Sequence, residues 1–320
     1  MPIHSQSAER EPKELVAKFA WQGEKEMDED LLRWQRMGVR PLWPRYLLLE
    51  RDYLYVTTPD DRIQGFRINS DGSLDSTFTL GKKGTDMGEF NGPNFFLIKD
   101  NLFFVIDAGN GRIQTLQINT DGTLTPKSSI GREGGGLGEF NKPTFLDIKD
   151  NYLFVADSGN HRIQTLEINN DGSLIPKFNL GKKGAKIGEF DRLSAARIRE
   201  DKVYILDSHN NNFQIFQVDS DSNLIPKFIF GEKGTDLGEF RSPNTFTIKD
   251  NYLYVSDTSN DRIQVLAIND DGSLTAKFAF GKTGNNLGEF FLPLSLAWKG
   301  DYLYVSDIGN DRIQVLEIKY

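Results

Sequence analysis

Arg45, Asp147 and Arg197 are the residues of this 320-residue chain whose types and spacing could do chemistry. Each falls in one of two rows of equivalent positions on the first strands of a repeated unit. One row reads Arg45, Phe95, Phe145, Ala195, Thr245, Ser295, and the other Leu47, Leu97, Asp147, Arg197, Thr247, Ala297. Strand residues alternate between two faces, so if the rows beside them pack between units, these rows face a central channel. Two guanidiniums with a carboxylate to orient one of them could hold an anionic ligand. Phe95 and Phe145 would supply an apolar wall, and Asn94, Thr144, Ser194 and Asn244 polar groups at the mouth. The competing reading is a filled channel, in which Asp147 and Arg197 form a satisfied ion pair and the Phe rings occupy space. One carboxylate with no His, Lys or Tyr in these rows is thin for acid–base catalysis, so no catalytic residue is assigned.

The rows exist because the chain repeats every 50 residues: Gly-Glu-Phe recurs at 88–90, 138–140, 188–190, 238–240 and 288–290. Arg-Ile-Gln recurs at 62–64, 112–114, 162–164, 262–264 and 312–314, with Asn212-Phe213-Gln214 in the remaining slot. A fixed period of this size means one supersecondary unit copied and stacked. Within one copy, Pro143–Ile148, Tyr152–Ala156, Arg162–Ile168 and Leu174–Leu180 each read as a strand, by alternation or by β-branched and aromatic content. The turns between them carry Lys149-Asp150-Asn151 and Asn169-Asn170-Asp171-Gly172. Pro176 suits an outer edge strand, where a missing N–H is tolerated. Four antiparallel strands per repeat predict an all-β, six-bladed β-propeller. First strands are expected near 42–49, 93–99, 143–149, 193–199, 243–249 and 293–299.

The last repeat stops after its third strand. Leu15–Trp21 matches the outer strand Leu274–Phe280, so the N-terminal strand should complete the last blade. The expected organisation is a polar tail over 1–13 and one propeller over 14–320, with a closing strand at 14–22. A short amphipathic helix is expected at 24–36, its apolar residues Met27, Leu31, Leu32 and Trp34.

Pro-Thr-Phe-Leu-Asp-Ile, Phe-Val-Ala-Asp-Ser-Gly-Asn-His-Arg-Ile-Gln and Gly-Glu-Phe, all within 138–168, resemble the NHL repeat in six copies that cover nearly the whole chain. The resemblance implies six-bladed propellers, some binding proteins, some RNA, and a few acting as lyases. NHL repeats typically carry Gly and Ala in the channel-facing rows, which makes the two Phe, the two Arg and Asp147 stand out. The amidating lyases that resemble this fold use a histidine-bound zinc. Only His4, His161 and His209 exist here, so a comparable three-histidine site is not available and no metal or cofactor is expected.

Residues present in nearly every copy, Asp157, Arg162, Gln164 and Glu139 among them, are read as structural. Hairpins such as Asn119-Thr120-Asp121-Gly122 lack the spacing of a twelve-residue calcium loop. The informative departures are the channel-facing rows and the fourth blade. That blade reads Asp207-Ser208-His209-Asn210-Asn211-Asn212 where its sisters keep Arg.

A net charge of −8 argues against non-specific nucleic-acid binding, and basic and acidic residues nearly cancel across the crossing loops. There are no cysteines, which excludes disulfides and thiol chemistry. No apolar run approaches the length of a membrane span. No signal peptide is recognised, so the default compartment is cytoplasmic, or periplasmic or extracellular if a signal was removed. On this sequence the expected function is a non-catalytic scaffold presenting its loops to an unidentified protein or polymer. The alternative is a ligand-binding or lyase/hydrolase-type propeller with its site at the channel mouth, at Arg45, Asp147 and Arg197, and a small anionic ligand.

Overall fold

The computed structural model describes residues 12–22, 46–69, 74–310 and 312–319. It is a six-bladed β-propeller of four-stranded antiparallel sheets. Blade one is β2 (Tyr46–Glu50), β3 (Tyr53–Thr58), β4 (Arg62–Ile68) and β5 (Leu74–Leu80), preceded in the chain by β1 (Glu14–Gln22). Blade two is β6 (Pro93–Lys99), β7 (Leu102–Asp107), β8 (Arg112–Ile118) and β9 (Leu124–Ile130). Blade three is β10 (Pro143–Lys149), β11 (Tyr152–Asp157), β12 (Arg162–Ile168) and β13 (Leu174–Leu180). Blade four is β14 (Leu193–Arg199), β15 (Lys202–Asp207), β16 (Asn212–Val218) and β17 (Leu224–Phe230). Blade five is β18 (Phe246–Lys249), β19 (Tyr252–Asp257), β20 (Arg262–Ile268) and β21 (Leu274–Phe280). Blade six is β22 (Pro293–Lys299), β23 (Tyr302–Asp307) and β24 (Arg312–Lys319), and its fourth strand is β1.

The N-terminal strand thus closes the last blade, as its likeness to β21 predicts. It runs antiparallel to β24 from Glu14 opposite Lys319 to Gln22 opposite Arg312. Lys13, in the expected tail, already donates its N–H to Lys319 O at 2.8 Å. The helix expected at 24–36 and the side chain of Arg45 lie outside the described residues.

The chain packs as two compact units. One takes Leu206–Ile215 and the described parts of Met1–Glu26 and Phe228–Tyr320; the other takes Phe216–Lys227 and the described part of Met27–Ile205. In the second, the first strands β2, β6, β10 and β14 lie side by side, and in the first, β18 lies beside β22. These contacts set the positions of the channel-facing rows.

The repeated motifs are fastened under the crossing loops. Phe90, Phe140, Phe190, Phe240 and Phe290 of Gly-Glu-Phe are each wholly buried. Gly131 sits at a φ of 102°, and a Cβ there would meet the Phe140 ring at 2.7 Å, so only glycine lets the loop close over the ring. Glu139 anchors the same loop. Its carboxylate accepts the Gly136 N–H at 2.8 Å and pairs with Arg132 at 2.7 Å, and these two partners hold it below the ordinary carboxylate value.

Candidate functional site

A cluster built on β2, β6, β10 and β14 brings together four of the residues singled out from the sequence with one that was not. Along it the rings run Tyr46, Phe95, Phe145. Tyr46 and Phe95 have centroids 4.2 Å apart, and Phe95 and Phe145 4.4 Å apart. The Arg197 guanidinium then lies over the Phe145 face, 4.3 Å from the centroid. Phe95 and Phe145 are buried, whereas Tyr46, Asp147 and Arg197 keep partial exposure. A cation on a ring face is attracted by the ring quadrupole, and a partly desolvated one more strongly than one in water.

Asp147 is held by backbone rather than by Arg197. Its Oδ1 accepts the Ile148 N–H at 2.8 Å and its Oδ2 accepts the Ile198 N–H at 2.7 Å, which ties β10 to β14. The ion pair of the filled-channel reading does not form: among the described residues no cation lies within 4.0 Å of the Asp147 carboxylate. Arg197 spends one hydrogen bond on its own strand, from Nη1 to Ala196 O at 2.8 Å, and the described residues offer its guanidinium no carboxylate partner. Five donors on a planar fork with one so engaged leave a binding edge.

The electrostatics follow from the same packing. Burial pushes the Asp147 carboxyl above the ordinary 3.8, more than the Ile198 and Ile148 N–H groups and the Arg197 charge pull it down. Burial likewise lowers the Arg197 guanidinium below its ordinary value, with Asp147 and Tyr46 opposing. The Tyr46 hydroxyl is pushed up by burial and drawn down by Arg197. These mutual influences place the Tyr46 hydroxyl in the field of both charges, so a phenol, a carboxyl and a guanidinium share one partly wet site.

The other predicted residues divide. Asn94 stands beside the cluster on β6 and donates from Nδ2 to Pro143 O at 3.3 Å, while its buried Oδ1 has no partner among the described residues. Asn244 belongs to the other unit, where its N–H donates to Ser256 O at 3.1 Å. Tyr46 is the residue that sequence reasoning assigned elsewhere, to the row Tyr46, Phe96, Leu146, Ala196, Phe246, Leu296 that packs between blades. Its ring does pack there, edge-on to Phe96 at 4.9 Å, but its other neighbour is Phe95. The available signal was its hydroxyl, the single polar group in that row.

No protein-family model matches the chain, and no curated protein does. Solved structures do resemble it. One is a Bacteroides fragilis protein provisionally described as a 6-phosphogluconolactonase, 19% identical, with a TM-score of 0.65 over 86% of this chain and 80% of that one. A second is the periplasmic gluconolactonase of Pseudomonas aeruginosa, 14% identical, TM-score 0.60, over 79% of this chain and 72% of that one. A third is a catalytically inactive virginiamycin B lyase from Staphylococcus aureus with quinupristin, 14% identical, TM-score 0.55, over 85% and 80%. At these identities the likeness establishes the fold. It also overturns the expectation of a non-catalytic scaffold: propellers of this shape carry lactonase and lyase names, which favours the channel-mouth alternative.

Proposed function

We propose that this protein is a hydrolase- or lyase-type propeller acting on a small anionic substrate at the cluster on β2, β6, β10 and β14. The observation that carries the reading is Arg197: a guanidinium braced on Phe145, with donors unspent, beside a carboxyl of raised proton affinity. In this reading Arg197, with Arg45, holds the anionic group of the substrate or the oxyanion that develops on it. Phe95 and Phe145 form the apolar wall, and Asn94 stands at the mouth. Asp147 exchanges the proton.

A sugar-acid lactone is the substrate class that fits best, and the names of two structural neighbours support it. Water adds to the lactone carbonyl, the ring C–O bond breaks, and the ring oxygen takes up a proton. Asp147 would accept a proton from the water and return one to the leaving oxygen. The repeat itself is read as NHL-like, on the Gly-Glu-Phe and Asp-x-x-Asn-x-Arg-Ile-Gln elements.

Proton release from 6-phosphogluconolactone and gluconolactone tests the proposal. The wild-type protein should accelerate hydrolysis of at least one. Arg197→Ala should lower kcat/KM by about a hundredfold, the effect of removing an oxyanion donor, with Arg197→Lys intermediate. No turnover of either lactone, or an Arg197→Ala enzyme as fast as wild type, would sink the assignment.

A further inference from the structure

A separate cavity of about 230 Å³ opens among the loops between blades four and five, on the fourth-blade loop that departs from its sisters. Lys233, Arg241 and His209 line it together with Ser208, Asn211, Ser242 and Ser259. Among the described residues no acidic side chain lines it. Among the described residues neither Lys233 nor Arg241 has a carboxylate within 4.0 Å.

The other copies of the repeat act as internal controls. Between blades three and four, Lys183 occupies the place of Lys233 and lies 3.7 Å from Asp191, which occupies the place of Arg241. Between blades five and six, Asp261 holds the place of Asn211, accepting from Thr283 at 2.6 Å and from the Leu292 N–H at 2.8 Å. Between blades one and two, Asp61 at that place accepts the Gly92 N–H at 2.6 Å. Only the backbone-holding task survives at Asn211, whose Oδ1 accepts the Ser242 N–H at 2.8 Å. So at this junction Asn211 stands where three other copies carry Asp, Arg241 stands where the others carry Asn, Asn, Asp and Phe, and Lys233 has no acid at either place. The loop differs in shape as well: blades two, three, five and six have a short 3-10 turn after the second strand, and blade four has none. Its third position is His209, where blades two, three and six carry Gly109, Gly159 and Gly309.

We infer that this cavity is an oxyanion site for a phosphate or phosphomonoester group, gripped by Arg241 and Lys233 with serine hydroxyls completing the donor set. Arg offers two parallel N–H groups to a phosphate and Lys a point charge, the combination a tetrahedral dianion takes best. The volume is below the roughly 300–1,000 Å³ of sites that enclose a drug-sized ligand. It suits one phosphate with a small substituent. Within a chain of net charge −8, two cations kept clear of carboxylates make a local exception. The site stands whether or not the protein hydrolyses lactones, because none of its residues belongs to the Arg197 cluster.

Calorimetric titration with inorganic phosphate, a hexose 6-phosphate and a uronic acid tests it. Saturable binding of either phosphate species should weaken about tenfold or more in Lys233→Gln/Arg241→Gln, with the melting temperature unchanged because both side chains are exposed. Lys183→Gln should bind as wild type does. Stronger binding of the hexose 6-phosphate than of free phosphate identifies the monoester as the ligand class, and the reverse identifies the free ion. The inference fails if neither saturates by about 10 mM, if the uronic acid alone binds, or if the double variant binds phosphate like wild type.

Discussion

Asp157 shows how a repeated residue differs from a functional one. Its Oδ1 accepts the Asn141 N–H at 2.7 Å, and its Oδ2 accepts from Asn160 at 2.9 Å, Arg162 Nε at 2.8 Å and Gln164 at 3.2 Å. Arg162 then reaches the crossing loop, donating to Gly135 O at 2.8 Å, Gly136 O at 2.7 Å and Glu139 O at 2.9 Å. The pair is buried and every polar atom of the guanidinium is used, unlike Arg197. Breaking a buried pair by removing one partner leaves the other charge desolvated, at a cost of about 3–5 kcal/mol. Arg162→Ala should therefore lose at least about 3 kcal/mol in chemical denaturation. Arg162→Lys should recover little, since one ammonium cannot follow three carbonyls. A loss below about 1 kcal/mol would show that the network is ornament to the fold. That Arg162 is structural was legible in the sequence because its column repeats. Its pairing with a carboxylate was legible too, and what it reaches beyond Asp157 was not, because those acceptors are backbone carbonyls, which no column of side chains records. The same blindness applies to Asp147: the sequence offered it Arg197 as a partner, and the backbone of β14 took it instead.

The first strands were legible in number and nearly in extent, and the exception has a side-chain cause. β18 begins at Phe246, three residues later than the alternation from 243 predicts. Ser256, buried on the facing strand, accepts the Thr245 N–H at 3.0 Å and reaches Thr245 O at 3.1 Å and Leu294 O at 2.9 Å. A hydroxyl so placed substitutes for ladder bonds and bends the entry of the strand. Thr57 likewise accepts the Tyr46 N–H and Ser306 the Ser295 N–H, at 3.1 and 2.8 Å, and β22 still begins at Pro293. In blades two, three and four the equivalent residues are Ile106, Ala156 and Leu206, and β6, β10 and β14 start three residues earlier in their repeats than β18 does, as β22 does too. A row that reads Thr, Ile, Ala, Leu, Ser, Ser looks like drift in a sequence, yet its hydroxyls decide which strand entries are held by a side chain. Ser256→Ala should cost about 1–3 kcal/mol, the penalty for leaving a buried N–H without its acceptor. Thermal unfolding measures it, and a change under about 0.5 kcal/mol would mean that Thr245 finds another partner.

Closure of the propeller joins strands almost the whole chain apart. β1 has no hairpin to hold it on β24, so its pairing depends on the ladder and on what it buries. Leu15 is 2% exposed and packs with Val305, Leu316 and Ile318. Burying one leucine contributes about 1.5–3 kcal/mol, and the ladder adds the satisfaction of every N–H and C=O that β24 would otherwise present as an open edge. In a repeat array each unit is stabilised chiefly by its nearest neighbours, so a lost strand should be felt locally first. Deleting residues 1–22 should thus do more than lower the melting temperature. In hydrogen exchange the amides of β22, β23 and β24 should lose protection by about tenfold or more, equivalent to 1.4 kcal/mol of local opening. Those of β7, β8, β11 and β12, which belong to the other compact unit, should change far less. Uniform loss across all of these strands would show one cooperative molecule in which closure stabilises every blade alike. No loss at β24 would show that the blade stands without its fourth strand, and the reading of Leu15–Trp21 as the closing element would fail with it.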